Sequence, residues 1–308
     1  GILSAAEPEK VSSTKTDPEV MRLIELLERE IEGKAGKSII PGGKLGTNSE
    51  AARALAKLGP KAAPAVPMLL RAVEEGDGLI PSQAGFALGH IGKAAVPALI
   101  ESLSSDSQAL KFQSMHALKL IGSDAAPATE KLLKLAKADD AQIRSNALEA
   151  LGRLAAPDNR PVVDVMLESL EAKEEPVQVA AAEGLGQLRP KDARASDALC
   201  AALNDAKRPA GVRSAAAQAL SRFEPVREKS VMAMITGLQS EKPQIQAAAA
   251  SGLNRIGTAA KPAEKALQDF LKAPSDPPPT LAGDEAYAWE LLHDVARKNA
   301  KAALENIR

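Results

Sequence analysis

Val212-Arg213-Ser214-Ala215-Ala216-Ala217-Gln218-Ala219-Leu220-Ser221-Arg222-Phe223 is the stretch on which the fold turns. Val212, Ala215, Ala216, Ala219, Leu220 and Phe223 recur at intervals of three and four residues and line one stripe of a 3.6-period helix. The core of that stripe is a small residue, a Leu four later and an apolar residue three beyond it. The same triplet stands at Ala51/Leu55/Leu58, Ala84/Leu88/Ile91, Ser114/Leu118/Ile121, Ala147/Leu151/Leu154, Ala181/Leu185/Leu188, Ala216/Leu220/Phe223 and Ala249/Leu253/Ile256. From Leu55 to Leu253 the steps are 33, 30, 33, 34, 35 and 33 residues. A near-constant period of this length marks a chain built from one supersecondary unit used repeatedly.

The residues between the triplets complete the unit. Gly59, Gly92, Gly122 and Gly257 follow the triplet and suit the left-handed residue that ends a helix. Pro64, Pro97, Pro127 and Pro262 stand nine residues after the reference Leu, and Pro is accepted in a first helical turn, where its missing N–H has no partner to lose. The spacing therefore predicts a second helix in each unit, opened by the Pro. It carries Leu69-Leu70, Leu99-Ile100-Leu103 or Leu132-Leu133-Leu135 and closes at acidic turns around Asp77, Asp106, Asp139-Asp140 and Asp205. In the fourth to sixth units the Pro moves to Pro157/Pro161, Pro190 and Pro225, and the closing Gly is lost.

Helix pairs of about 33 residues, with Ala along the second helix and Leu-Gly-x-Ile ends, resemble the HEAT and HEAT-like repeat family over residues 46–272. The resemblance implies an all-α, right-handed α-solenoid of about seven helix pairs with capping helices at both ends. Functions in that family range from transport receptors to phosphatase scaffolds and bilin-lyase subunits, so it implies architecture more narrowly than activity.

The segments outside the array read differently. Residues 1–17 are polar and form a tail, and Gly1–Ala6 resembles the end of a signal segment, which points to export. Residues 18–45 hold an amphipathic capping helix, with Val20, Leu23, Ile24, Leu27 and Ile31, and then a Gly/Lys-rich loop. Residues 273–283 are a Pro-rich spacer and 284–308 a C-terminal capping helix in which Trp289 plugs the last repeat.

The 308 residues hold 39 Lys+Arg against 40 Asp+Glu, with 2% aromatic residues and a single Cys. Near neutrality disfavours nucleic acid, whose phosphates require a surplus of basic charge on one face. The lone Cys200 cannot form an internal disulfide and reads as a small buried hydrophobe. No apolar run is long enough to span a bilayer. Gly33-Lys34-Ala35-Gly36-Lys37-Ser38 lacks the four residues a phosphate loop needs between its glycines and follows a helix, not a strand. Deoxyhypusine hydroxylase, an enzyme on similar repeats, holds iron through His-Glu pairs. Here the three His stand as His90-Ile91, His116-Ala117 and His293-Asp294, so that centre, and with it a metal or other cofactor, is not expected.

What remains is a non-catalytic scaffold that binds a protein or peptide along its second helices. Counting 100° per residue, positions six and two before the reference Leu and two after it face away from the buried stripe. They hold Phe86 and His90 in one repeat and Phe112 and His116 in the next, with Met115 beside them, an aromatic cluster expected to bind the partner. Arg153, Arg222 and Arg255 stand two residues after their reference Leu, forming a basic column that either pairs with Glu149 and Glu183 or receives an acidic segment of the partner. The alternative reading is an accessory subunit of a chromophore- or cofactor-attaching enzyme, as in the bilin-lyase relatives.

Overall fold

The structure is a computed structural model that describes residues 17–33, 50–275, 277–278 and 280–307. The expected N-terminal tail, the signal-like Gly1–Ala6 and most of the Gly/Lys-rich loop lie outside the described residues. All regular elements described are helical: α1 (Pro18–Ile31), α2 (Glu50–Leu58), α3 (Val66–Glu75), α4 (Ile80–Ile91), α5 (Val96–Ser102), α6 (Gln108–Ile121), α7 (Thr129–Leu135), α8 (Ala141–Leu154), α9 (Arg160–Ser169), α10 (Glu175–Leu188), α11 (Ala193–Asn204), α12 (Ala210–Leu220), α13 (Glu228–Leu238), α14 (Pro243–Ile256), α15 (Glu264–Lys272) and α16 (Asp284–Ile307). The chain divides into two compact units, Gly1–Ala98 and Leu99–Arg308, with the division inside α5. No described helix is long and apolar enough to cross a membrane.

The first unit is built around α1 to α4. Asp17 caps α1 by accepting the Glu19 N–H at 2.9 Å, and Pro18 opens the helix behind it. Val20 and Leu27 are buried where α1 packs on α2 and α3. Glu30 is also buried; its carboxyl takes the backbone N–H groups of Glu50 and Ala51 at the start of α2, while burial pushes its pKa up. Arg71 of α3 ties back to Glu28 at 3.1 Å.

The helices carrying the triplets are α2 and α4 in the first unit and α6, α8, α10, α12 and α14 in the second. All seven reference Leu side chains are 0% exposed, and the small residue four before each is buried with them. A second buried flank accompanies this stripe. Position −3 from the reference Leu is buried in every one of these helices, as Ala52, Gly85, Met115, Leu148, Ala182, Ala217 and Ala250. In α8 and α12 it lies against the following second helix: a Cβ on Gly184 of α10 would stand 3.1 Å from the Leu148 carbonyl of α8, and one on Gly252 of α14 would stand 3.4 Å from the Ala217 carbonyl of α12. Glycines set the closest approaches. A Cβ on Gly152 of α8 would stand 2.7 Å from the Gly184 Cα of α10, and one on Gly186 of α10 would stand 2.7 Å from the Ala219 Cα of α12.

The exits from the second helices divide into two kinds. Where the residue four after the reference Leu is Gly, a 3-10 segment follows: Gly59–Ala65, Gly92–Ala95, Gly122–Ala128 and Gly257–Ala263. These glycines have φ of 57°, 77°, 71° and 58°. The ψ values of −142°, −136° and −128° at Gly92, Gly122 and Gly257 place them outside the left-handed helical region, in a region that only Gly enters without strain. Pro97 stands in the first turn of α5 as expected, but the other three have a different place. Pro64, Pro127 and Pro262 sit inside the 3-10 segments, ahead of the α-helix, because the fixed φ of the ring suits that tighter turn as well. At two of the three exits where Gly is missing, side chains cap the next helix instead: Asn159 accepts the Val162 N–H at 3.3 Å and Asp192 the Arg194 N–H at 2.9 Å, whereas α13 has no side-chain cap at Arg227.

A further regularity ties each second helix to the turn before it. Seven residues ahead of the reference Leu, Arg144 donates to the Ala138 and Asp139 carbonyls at 2.8 Å, Arg213 to Leu203 O at 2.8 Å and Gln246 to Ser240 O at 2.7 Å, and Gln178 donates to Ala172 O. These bonds satisfy carbonyls that the end of a helix leaves without partners. The same device appears in α16, where Arg297 donates to Leu271 O at 2.6 Å and Ala273 O at 3.1 Å. Arg297 stands seven residues before Leu304, and Ala300/Leu304/Ile307 repeats the triplet. Ala296, Ala300, Ala303 and Ile307 are buried where α16 packs on α14, so α15 and α16 form a further pair beyond the seven triplet helices found by spacing. Cys200, on α11, is buried with its Sγ 3.9 Å from Ser230 Oγ, and burial pushes the thiol pKa up.

The glycine contacts give a stability test whose sign opposes helix propensity. Gly→Ala inside a helix ordinarily stabilises by about 1 kcal/mol. Gly186→Ala should instead cost about 1–3 kcal/mol, because its Cβ meets backbone that cannot rotate away. Urea unfolding followed by circular dichroism measures this, and a variant more stable than the parent would contradict the close packing.

Candidate functional site

The C-terminal ends of α10, α12 and α14 enclose a concavity of about 460 Å³ lined by Arg189, Arg222, Arg255, Gln187, Phe223 and Glu224, among others. Three arginines thus line it, at the ends of three successive second helices. Arg255 lies in the last turn of α14, where the negative end of the helix dipole favours a cation. Arg189 stands at the same end of its own helix but at a further cost. It is the C-cap residue of α10, with φ 51° and ψ 55°, and is the one non-Gly residue with positive φ among the described residues. It occupies the slot, four after the reference Leu, that holds Gly59, Gly92, Gly122 and Gly257 elsewhere. A residue with a Cβ pays conformational strain to be there.

Partner accounting separates these arginines from the rest of the unit. Arg144 pairs with Glu174 at 2.9 Å, Arg194 with Asp192 and Asp164 at 2.6 and 2.9 Å, Arg208 with Glu171 and Arg227 with Asp197 at 3.2 Å. Arg213 and Arg297 are held by carbonyls. Among the described residues, Arg153, Arg189, Arg222 and Arg255 make no side-chain hydrogen bond or ion pair. The carboxylates expected to pair with the column are engaged differently. Glu149 bonds Lys119 of α6 at 2.7 Å. Glu183 is pushed up by partial desolvation and by Glu149 nearby, with Arg222 and Lys119 opposing.

Arg222 and Arg255 are thereby brought together, joined by Arg189, while Arg153 stands outside the concavity. The aromatic candidates are distributed over both units. In the first, Phe86 is 41% exposed and its ring lies 4.0 Å from that of His90, whose Nδ1 is 3.0 Å from the Phe86 carbonyl. In the second, Phe112 is half-buried and His116 is exposed, with partial desolvation and Lys119 holding the imidazole below its usual range and Glu149 opposing. Met115 is 1% exposed, a correction to its expected place on the open face. The reason is the second buried flank: position −3 faces the next second helix, which a single-stripe count leaves out. Arg189 was missed although its signal was present, as an Arg where the repeat calls for Gly.

Replacing Arg189 tests this strain directly. Relief of the left-handed backbone is worth roughly 1–2 kcal/mol, and the added freedom of an unfolded Gly returns part of it. Arg189→Gly should therefore be about 0.5–1 kcal/mol more stable than the parent by thermal unfolding; a lower melting temperature would show that the Arg side chain holds the turn in place.

Residues 129–221 match the family described as HEAT repeats, and residues 81–105 match PBS lyase HEAT-like repeat. No curated protein matches the chain. Among solved structures, it is similar to Kap121p bound to Ste12p, at 15% identity and a TM-score of 0.63, over 94% of this chain and 34% of that one. It is also similar to the karyopherin Kap121p bound to the extreme C-terminus of the protein phosphatase Cdc14p, at 16% identity and a TM-score of 0.61, over 93% of this chain and 33% of that one. Importin beta gives 15% identity and a TM-score of 0.57, over 94% of this chain and 40% of that one. The chain thus spans between a third and two-fifths of the length of these proteins, and at such identities the likeness is one of fold: a helical HEAT-repeat solenoid.

Proposed function

Residues 81–105 and 129–221 are HEAT-like repeats, and for a chain built this way we propose a non-catalytic scaffold that holds an acidic segment of a protein partner against the C-terminal ends of α10, α12 and α14. The observation that carries this reading is the convergence of Arg189, Arg222 and Arg255 on one concavity, none of them making a side-chain hydrogen bond or ion pair among the described residues. A guanidinium offers five donors in a planar fork that matches a carboxylate, so such a cluster is suited to bidentate recognition. Keeping Arg189 in a backbone conformation that favours Gly makes sense when its side chain serves binding rather than stability. The structures similar in fold lend support, since Kap121p is there bound to Ste12p and to the extreme C-terminus of Cdc14p. The accessory-subunit reading has one match on its side, the PBS lyase HEAT-like repeat at residues 81–105.

Fluorescence anisotropy with a labelled Asp-rich peptide, and an Asn-for-Asp control, tests the scaffold. The acidic peptide should bind and the control should not, with affinity falling as salt screens the contact. Arg222→Gln with Arg255→Gln should weaken binding at least tenfold, given about 1.5–3 kcal/mol for each charged hydrogen bond lost, while the melting temperature stays close to the parent. Equal affinity for the two peptides, or for parent and double variant, would overturn the assignment.

A further inference from the structure

We propose that the cleft formed by α13, α15, the Pro-rich segment and the start of α16 is a second binding site, for a small neutral molecule with an apolar body and a secondary amide. Its volume, about 880 Å³, is in the range of small-molecule sites. Met232, Ile235, Phe270, Pro274, Pro277 and Trp289 supply an apolar lining, and Met232 is half exposed although nothing polar is gained by it. Among the described residues the charged members of the lining are Lys265 and Asp269, of opposite sign, so this lining favours neither an anion nor a cation.

The polar atoms of the lining specify the ligand. Gln246 donates its Nε2–H to the Ser240 carbonyl at 2.7 Å, which turns its Oε1 toward His293 Nδ1 at 3.0 Å. That oxygen can only accept, so the proton of the imidazole resides on Nδ1 and Nε2 presents a lone pair. Burial first, then Arg297, hold this imidazole below its usual pKa against the opposing Asp294, in keeping with a neutral ring. His293 is 3% exposed, and its Nε2 hydrogen-bonds to no group among the described residues. Trp289 is stacked on it, with ring centroids 4.4 Å apart and planes at 17°, and the buried indole Nε1–H is likewise unpartnered among them. A buried donor or acceptor left without a partner costs about 1–3 kcal/mol. Two stacked rings of the cleft wall therefore carry one acceptor and one donor in need of partners, both covered from the open cleft. A secondary amide has the complementary N–H and C=O. The half-buried indole is the wall that yields to admit it.

This site stands apart from the arginine concavity and does not rest on the scaffold reading. Trp289 is the single Trp of the chain, so its fluorescence reports on the cleft alone. Titrating the whole chain with N-benzylbenzamide should give a saturable change in that fluorescence. The N-methyl derivative, which keeps the carbonyl and lacks the N–H, should bind at least tenfold more weakly. His293→Phe preserves the stacked ring and removes the acceptor, and should bind both amides equally weakly with its circular dichroism unchanged. Met232→Asp, on the exposed wall, should weaken the secondary amide without altering the preference for it. Absence of saturation in the parent chain, equal affinity for the two amides, or a fluorescence change produced by protein concentration alone, which would mean that a second copy fills the cleft, would each overturn the proposal.

Discussion

Everything else in the second unit depends on successive second helices meeting backbone to backbone. Gly152 against Gly184 and Gly186 against Ala219 leave no room for a Cβ at the closest points. This explains a composition that is 2% aromatic: large rings cannot enter the seams between second helices, and bulk is carried by Leu and by the facing first helices. It also explains why Ala, a residue that buries little area, can hold a core. Close approach multiplies dispersion contacts along whole helices, and the small residues forfeit almost no side-chain entropy on folding.

Such tight stacking requires every second helix to end at the same place, and the exits show two solutions. Gly with positive φ followed by a 3-10 segment turns the chain abruptly and satisfies the helix end with backbone alone. After α8 and α10 the turn is made by side-chain caps, Asn159 and Asp192, in place of glycine in its slot; after α12 neither device is used. Arg189 and Glu224 take that slot in two consecutive units, and both line the arginine concavity. The candidate site is thus located where the repeat departs from its own rule, as expected if local regularity was given up for binding.

How much of this was legible in sequence follows from what each feature depends on. The reference Leu and the small residue four before it are local, periodic properties, and all are buried as read. Met115 was misplaced because its burial comes from the neighbouring helix, a relation that the angle within one helix does not contain. The triplet in α16 escaped notice because the Pro-rich segment and the long start of that helix put Leu304 51 residues after Leu253, outside the period. The arginines show the limit most clearly. Arg153, Arg194 and Arg208 look alike in sequence, yet Arg208 meets Glu171 from 37 positions away and Arg153 pairs with no carboxylate among the described residues. Pairing is decided by the stacking of repeats, so the unpaired cluster emerges only in three dimensions.

Near-neutral net charge sharpens the meaning of that cluster. With 39 basic and 40 acidic residues the chain has little long-range field to gather polyanions. Glu224 lies in the concavity itself and Glu183 close to Arg222, so the basic patch is bounded by negative charge. A long nucleic acid backbone would have to run past those carboxylates, at a cost of several kcal/mol for each like-charge contact formed. A short acidic peptide can place its carboxylates on the arginines and stop. In the proposed scaffold the surrounding acid would select against the extended polyanion while the arginines attract the compact one, and specificity would arise from both effects together.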